Sequence, residues 1–158
     1  MIDAKVVHRD LTADNILVVR KEGEKDEVEA KTGFTLKVMD FGVCGHDKLI
    51  PEGYGARGSM RYYSPESAND KLLYTEASDV FSFGLLIYEL LHGEKIWPEL
   101  KKVGEVLARH EEGERPKIRD EMPEGVRKVI ESAWRGKASE RWSFRELAGG
   151  LRSVVSLK

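Results

Sequence analysis

The sequence predicts a mainly α fold of the α+β class, with one small β-hairpin ahead of a set of helices. Two β-patterned runs stand near the N-terminus, Asn15 to Val19 and Phe34 to Met39. A stretch without periodicity follows, and from Pro65 onward apolar residues recur at helical spacing. The chain has 158 residues, 41% hydrophobic and 34% charged, with a formal charge of −2. That composition suits one domain with a proper core. No apolar run approaches the ~18–20 residues a membrane helix needs, and no signal-peptide pattern opens the chain. The single cysteine, Cys44, rules out an internal disulfide framework. The near-neutral balance argues against a dedicated nucleic-acid binder. A soluble, cytoplasmic protein without membrane or nucleic-acid partners is expected.

The elements follow in order. Asn15 to Val19 is a β-branched run, and Phe34 to Met39 alternates with a period of two. Between them, Lys21 to Gly33 carries 8 charged residues in 13 and reads as a solvated hairpin loop. From Gly42 to Tyr63 there are five glycines and few aliphatic residues, which marks a long loop of the kind that tends to be functional. Asp79 to His92 is apolar on nearly every side, so a helix buried all round is expected, stopped by Gly93. A second helix is expected over 99–112, ending before Pro116. A third follows Pro123, with Val126, Val129, Ile130, Ala133 and Trp134 on one face. A fourth begins near Ser143, where Glu146 three residues on completes a capping box.

The chemistry gathers at the ends of the hairpin. Asp10 lies just before the first strand, Asn15 at its start and Asp40 just after the second. Antiparallel pairing brings those ends to one side. Two carboxylates and an amide oxygen there suit a hard cation such as Mg²⁺, which keeps waters and shares phosphate oxygens. A neighbouring acid free of metal can orient a hydroxyl nucleophile, and phosphoryl transfer asks for little more than positioning and charge neutralisation.

His8-Arg9-Asp10-Leu11-Thr12-Ala13-Asp14-Asn15 resembles the catalytic loop of eukaryotic-type protein kinases, and Asp40-Phe41-Gly42 resembles their magnesium motif. Ser64-Pro65-Glu66 is similar to the Ala-Pro-Glu element that closes the activation segment. Ser78 to Gly84 resembles the start of the central helix of the kinase C-terminal lobe. Ala133-Trp134 and Glu140-Arg141-Trp142-Ser143-Phe144 are most like the tyrosine-kinase-like group. The resemblance covers 1–158 and implies a C-terminal lobe with the N-terminal lobe absent. Its parts are a catalytic loop at 8–15, a magnesium motif at 40–42, an activation segment at 40–66 and a helical subdomain at 67–158.

It further implies ATP and Mg²⁺ as cofactors and a protein as substrate. Asp10 would be the catalytic base, with Asn15 and Asp40 holding the metal and nucleotide. Arg9 would meet an activation-loop phosphate, for which Tyr54 is the first candidate and Ser59 the second. Asp79 would brace the catalytic loop, Glu66 and Arg141 would form a buried ion pair, and His8 and Phe41 would join an apolar spine. Thr12 replaces the lysine usual in Ser/Thr kinases, whereas Gly58 to Glu66 resembles a Ser/Thr-type substrate loop. Ser/Thr acceptors are therefore expected, with tyrosine left open.

Other features read as ordinary structure. Gly53-Tyr54-Gly55-Ala56-Arg57-Gly58 fits G-x-G-x-x-G but lacks the strand and helix that a dinucleotide site requires. Lys37 belongs to the strand before Asp40. Cys44 reads as an inert thiol, His46, His92 and His110 lack metal-ligand spacing, and Trp97, Trp134 and Trp142 read as core. The isolated lobe is expected to bind nucleotide weakly, because a Gly-rich loop and a strand lysine are missing before His8. Part of Asp79–His92 is expected to be left with apolar surface that self-association, the missing N-terminal lobe or a partner would cover. The rival reading is a non-catalytic, kinase-derived interaction or scaffold module.

Overall fold

The computed structural model describes residues 6–20, 34–45, 59–68 and 74–155. The hairpin pairs β1 (Ile16–Arg20) antiparallel with β2 (Phe34–Val38), in the register Ile16↔Val38, Val18↔Leu36 and Arg20↔Phe34. β1 begins one residue later than its pattern suggests. Asn15 instead ends a 3-10 turn, Ala13–Asn15, whose Asn15 N–H reaches the Thr12 carbonyl at 3.1 Å.

Helices follow: α1 (Pro65–Ala68), α2 (Glu76–His92), α3 (Val103–Glu111), α4 (Glu124–Ala133) and α5 (Phe144–Val155). A 3-10 turn, Ser59–Tyr62, precedes α1, and another, Ala138–Glu140, precedes α5. α3 starts four residues later than expected. Leu100 N–H closes a turn on the Trp97 carbonyl at 3.0 Å, and Trp97 itself is left-handed (φ 40°), so helical geometry cannot begin before that turn is complete.

α2 is the axis of the core. Val80, Phe81, Leu85, Ile87 and Tyr88 pack with Ile96, Trp97, Val129, Ile130, Ala133, Trp134 and Leu147 in one cluster. Trp142 packs against it from the edge. Gly93 ends α2 in the left-handed conformation (φ 69°), its N–H on the Glu89 carbonyl. At the start of α5, Ser143 N–H and Oγ both meet the Glu146 carboxylate, at 2.7 and 2.8 Å, and Glu146 N–H returns to Ser143 Oγ.

The expectation that part of α2 leaves apolar surface uncovered is met, but only in its last turn. Its body is covered, because α4 packs closely along it, and only Leu90 and Leu91 in its last turn are exposed. The larger uncovered apolar surface is the hairpin. Leu17, Val18, Phe34 and Leu36 are all exposed there, Leu36 by 63%. Strand pairing satisfies the hairpin's backbone, but among the described residues no second layer covers the face carrying Val18 and Leu36.

Candidate functional site

A buried aspartate in α2 organises the loop at 8–15. Asp79 is 2% exposed, and its two carboxylate oxygens accept the backbone N–H groups of His8 (2.6 Å) and Arg9 (2.9 Å). Burial pushes the Asp79 carboxyl up, and those two bonds work against that shift. They also hold Arg9 in the left-handed region (φ 69°), an unusual conformation for a long side chain. The loop is tied down twice more. Val7 and Gly45 exchange both backbone hydrogen bonds, and His8 Nε2–H reaches the Met39 carbonyl at 2.9 Å. That last bond joins the loop to the residue before Asp40.

Fixing His8 and Arg9 in this way aims Asp10 at the hairpin's open end. Asn15 Nδ2 donates to the Asp10 backbone carbonyl (2.7 Å) and to its Oδ2 (2.8 Å). One amide therefore locks both the backbone and the carboxylate of Asp10. Met39 N–H on the Asn15 carbonyl (2.8 Å) brings the start of β1 beside the end of β2. Asp40 follows, exposed and left-handed (φ 56°), with one carboxylate oxygen taken by Gly42 N–H at 3.1 Å. Asp10, Asn15 and Asp40 thus come to one end of the hairpin.

The donor set fits Mg²⁺. With its NH₂ spent on Asp10, Asn15 keeps its amide oxygen for another partner, and Asp40 keeps a carboxylate oxygen. Among the described residues no group of three His, Cys, Asp or Glu side chains forms a metal cage. Mg²⁺ does not ask for one, since it is usually held by one or two protein oxygens plus phosphates and water.

Phe41 and His8, the two residues of the expected spine, are in contact. The Phe41 ring meets His8 edge-on at 5.0 Å, yet it is 51% exposed, because among the described residues nothing packs over its outer face. Arg9 is buried, its guanidinium so close to Gly45 that a β-carbon there would stand 2.6 Å from it. Thr12 is buried as well, so it offers no polar group to solvent where a lysine would supply a cation. Cys44 lies half-buried with Sγ–H toward the His8 carbonyl. Burial first, and the Asp79 and Asp40 charges besides, push its thiol up and away from the reactive thiolate. Tyr54, His46 and the 53–58 glycines lie outside the described residues. Ser59 opens the 3-10 turn that leads to α1.

Arg141 and Glu66 pair through both guanidinium Nη atoms, at 2.6 and 2.8 Å. The Arg141 side chain is fully buried and also donates to the carbonyls of Ala77, Arg135 and Gly136. Burial alone would raise the Glu66 carboxyl, but the Arg141 guanidinium outweighs it and holds the group below its usual range. Ser78 Oγ adds a bond to Glu66 Oε1 and also accepts the Thr75 N–H that caps α2.

The segment at 61–63 is anchored in a way the sequence reading missed. Tyr62 OH donates to Glu89 Oε2, and burial first, then that carboxylate, raises the phenol. Ser82 Oγ–H holds the Tyr62 carbonyl at 2.8 Å, and Arg61 donates to the carbonyls of Ile96 and Leu100. His110 on α3 donates from Nδ1 to the Tyr63 carbonyl at 3.1 Å. A signal existed for Glu89, a lone carboxylate in the apolar run Ile87-Tyr88-Glu89-Leu90-Leu91.

Residues 1–151 match the family described as protein tyrosine and serine/threonine kinase. The dual specificity protein kinase shkC of Dictyostelium discoideum is 31% identical over 156 residues, covering 94% of this chain and 28% of that protein. The dual specificity protein kinase pyk3 of the same organism is 32% identical over 154 residues, covering 96% of this chain and 10% of that protein. Mouse vascular endothelial growth factor receptor 3 is 33% identical over 156 residues, again 96% of this chain and 10% of that protein. The chain spans less than a third of the length of these relatives. With a match across nearly all its residues, the chain belongs to the protein tyrosine and serine/threonine kinase family.

Proposed function

We propose that this chain is the C-terminal lobe of a protein kinase catalytic domain, the acceptor side of transfer from ATP to a protein hydroxyl. The observation that carries the reading is the Asn15–Asp10 pair, set on a loop whose backbone Asp79 holds and placed beside Asp40. An acceptor hydroxyl at Asp10 gives its proton to the carboxylate as its oxygen bonds to the γ-phosphorus. The bond from phosphorus to the β,γ-bridging oxygen breaks, and ADP leaves. Mg²⁺, when bound, neutralises charge on the phosphate oxygens. Asn15 and Asp40 supply its protein oxygens, and Asn15 keeps the Asp10 carboxylate turned to the acceptor. Arg9 serves a loop phosphate, with Tyr54 as the candidate site. Glu66–Arg141 holds the end of the activation segment on α2.

The exposed hairpin residues and Phe41 are the surface against which an N-terminal lobe completes the nucleotide site. Serine or threonine is the preferred acceptor, on the strength of the Gly58–Glu66 segment, and phosphoamino-acid analysis separates this from tyrosine. The test is phosphate transfer to peptides by the intact protein containing this chain, compared with Asp10→Asn. A loss of about 10²–10⁴-fold is expected for a positioned general base. Transfer that is unchanged in Asp10→Asn, or absent from the wild type under all peptides, overturns the reading in favour of a non-catalytic module.

A further inference from the structure

We propose that a basic cavity beside the 59–66 segment is a subsite for an acidic side chain of the protein substrate. The proposal rests on the kinase reading above and deepens it by naming the substrate class. The cavity, of about 280 Å³, is lined by Arg61, Lys95, Pro98, Leu100 and Lys101. Taking roughly 30 Å³ as the liquid volume of one water, it holds an aspartate or glutamate side chain with waters around it.

Its charge is one-sided. Three of its five lining residues are cations, and no carboxylate lines it. Two neighbouring acids have other partners. Glu99 pairs with Arg109 at 3.5 Å, and Glu89 accepts Tyr62 OH and Ile96 N–H. The Arg61 guanidinium is fixed by the carbonyls of Ile96 and Leu100, and Lys101 Nζ donates to the Pro98 carbonyl at 3.2 Å. These partners are neutral, and among the described residues none of the three cations is paired with a carboxylate. Two of the five N–H donors of a guanidinium are used here, so Arg61 is pre-oriented with donors to spare. The left-handed Trp97 contributes by turning the 96–100 loop so that its carbonyls converge on Arg61.

Position links the cavity to the acceptor. Tyr62, next to Arg61, bonds Glu89 and, through its carbonyl, Ser82 of α2, the helix whose Asp79 fixes the backbone of the loop that carries Asp10. An extended peptide with its hydroxyl at Asp10 that continues along Tyr62 arrives at Arg61. An acidic residue there meets three cations without having to displace an existing counter-ion.

Fluorescence anisotropy of labelled peptides with the 158-residue chain tests this directly. The peptides share a central serine flanked by aspartate and glutamate, by alanine and glycine, or by lysine and arginine. The variant is Lys95→Glu with Lys101→Glu, two exposed residues outside the catalytic loop, with unchanged circular dichroism as the folding control. The acidic peptide is expected to bind about five- to tenfold tighter than the neutral one at low salt. That preference should vanish in the variant and in 0.5 M salt. Equal affinity for acidic and neutral peptides, or a preference that survives in the variant, overturns the proposal. So does displacement of the peptide by submillimolar inorganic phosphate, or tighter retention of a single-stranded oligonucleotide, since either assigns the cavity to another anion. No nucleotide enters this experiment. Acidic-peptide binding without Asp10-dependent transfer therefore refutes the catalytic reading alone. Transfer with equal KM for acidic and neutral peptides refutes the subsite alone.

Discussion

Asp79 accepts the backbone N–H of Arg9 at 2.9 Å, across 70 residues of sequence, while its other oxygen takes the N–H of His8. One buried side chain thus fixes two consecutive peptide groups, the second of which leads into the left-handed Arg9. Asp79→Ala leaves both N–H groups buried without acceptors. At about 1–3 kcal/mol for each unsatisfied group, a loss of about 2–6 kcal/mol is expected, read as a lower urea midpoint at unchanged slope. Amide exchange should quicken at His8 and Arg9 more than at Val129 or Ile130 in α4. A uniform change across these amides would mean that Asp79 does not act through the loop.

The pair formed by Glu66 and Arg141 responds differently to its two possible losses. Arg141 is fully buried, so Glu66→Ala strands a cation in the interior, at a cost of about 3–5 kcal/mol. Arg141→Met removes the charge and keeps an apolar stem over Phe81, against which the guanidinium now lies at 4.9 Å. Glu66, being part-exposed, can then turn to water, so Arg141→Met should cost less than Glu66→Ala. Combining Glu66→Ala with Arg141→Met should fall short of the sum of the single losses, as expected for groups in contact. Chemical denaturation of the four proteins measures this.

Acid should unfold the protein in a window set by His110. Burial first, and the nearby Arg115 guanidinium second, push its imidazole down from 6.5 to about 3. Because Nδ1 carries the hydrogen given to Tyr63, its Nε2 is an unprotonated acceptor, and it lies buried without a partner. The unfolded chain takes up the proton near pH 6.5 and the folded one does not. Stability is therefore full above about 6.5 and declines as pH falls toward 3. Glu66, also lowered, adds to the loss below about 4.5, whereas the raised Asp79 opposes it. His110→Leu should flatten the slope between pH 6.5 and 4.5, measured as the difference in urea stability from the wild type. An identical slope in the variant would assign the acid sensitivity elsewhere.

What the sequence made legible follows from the range of each interaction. Elements ruled by local pattern were readable. α4 and α5 begin where Pro123 and the Ser143–Glu146 box place them, because those signals act within one turn. The convergence of Asp10, Asn15 and Asp40 was readable because hairpin pairing alone brings strand ends together. The start of α3 was not, since the competing turn at 97–100 depends on a left-handed tryptophan that core packing enforces. Nor was the anchoring of 61–63. Tyr62 meets Glu89, and Tyr63 meets His110, over separations of 27 and 47 residues, and no local periodicity encodes those pairs. The exposure of the hairpin face was not legible for the same reason. A strand pattern reports which residues share a face, but not whether a second layer lies over it.

Two glycines in helices should respond to the same substitution with opposite signs. Gly84 lies on the face of α2 that meets α4, where an added β-carbon would stand 2.8 Å from Ala133 Cβ and 3.4 Å from Trp134 N. Those atoms belong to the backbone or are rigidly attached to it, so no side chain can rotate away and the two helices must separate. Alanine gains about 1 kcal/mol over glycine in helix propensity, but overpacking of a close helix contact costs about 1–3 kcal/mol. Since α2 also carries Asp79 and Glu89, moving it disturbs their long-range bonds as well, and the clash wins. Gly84→Ala should lower stability by about 1–2 kcal/mol. Gly104 in α3 is exposed, with nothing within 4 Å of its would-be β-carbon. Gly104→Ala should therefore raise stability by up to about 1 kcal/mol, from propensity and reduced unfolded-state entropy. Urea midpoints of the two variants decide the matter. A stabilised Gly84→Ala would mean that α2 and α4 are not in the close contact that organises this core.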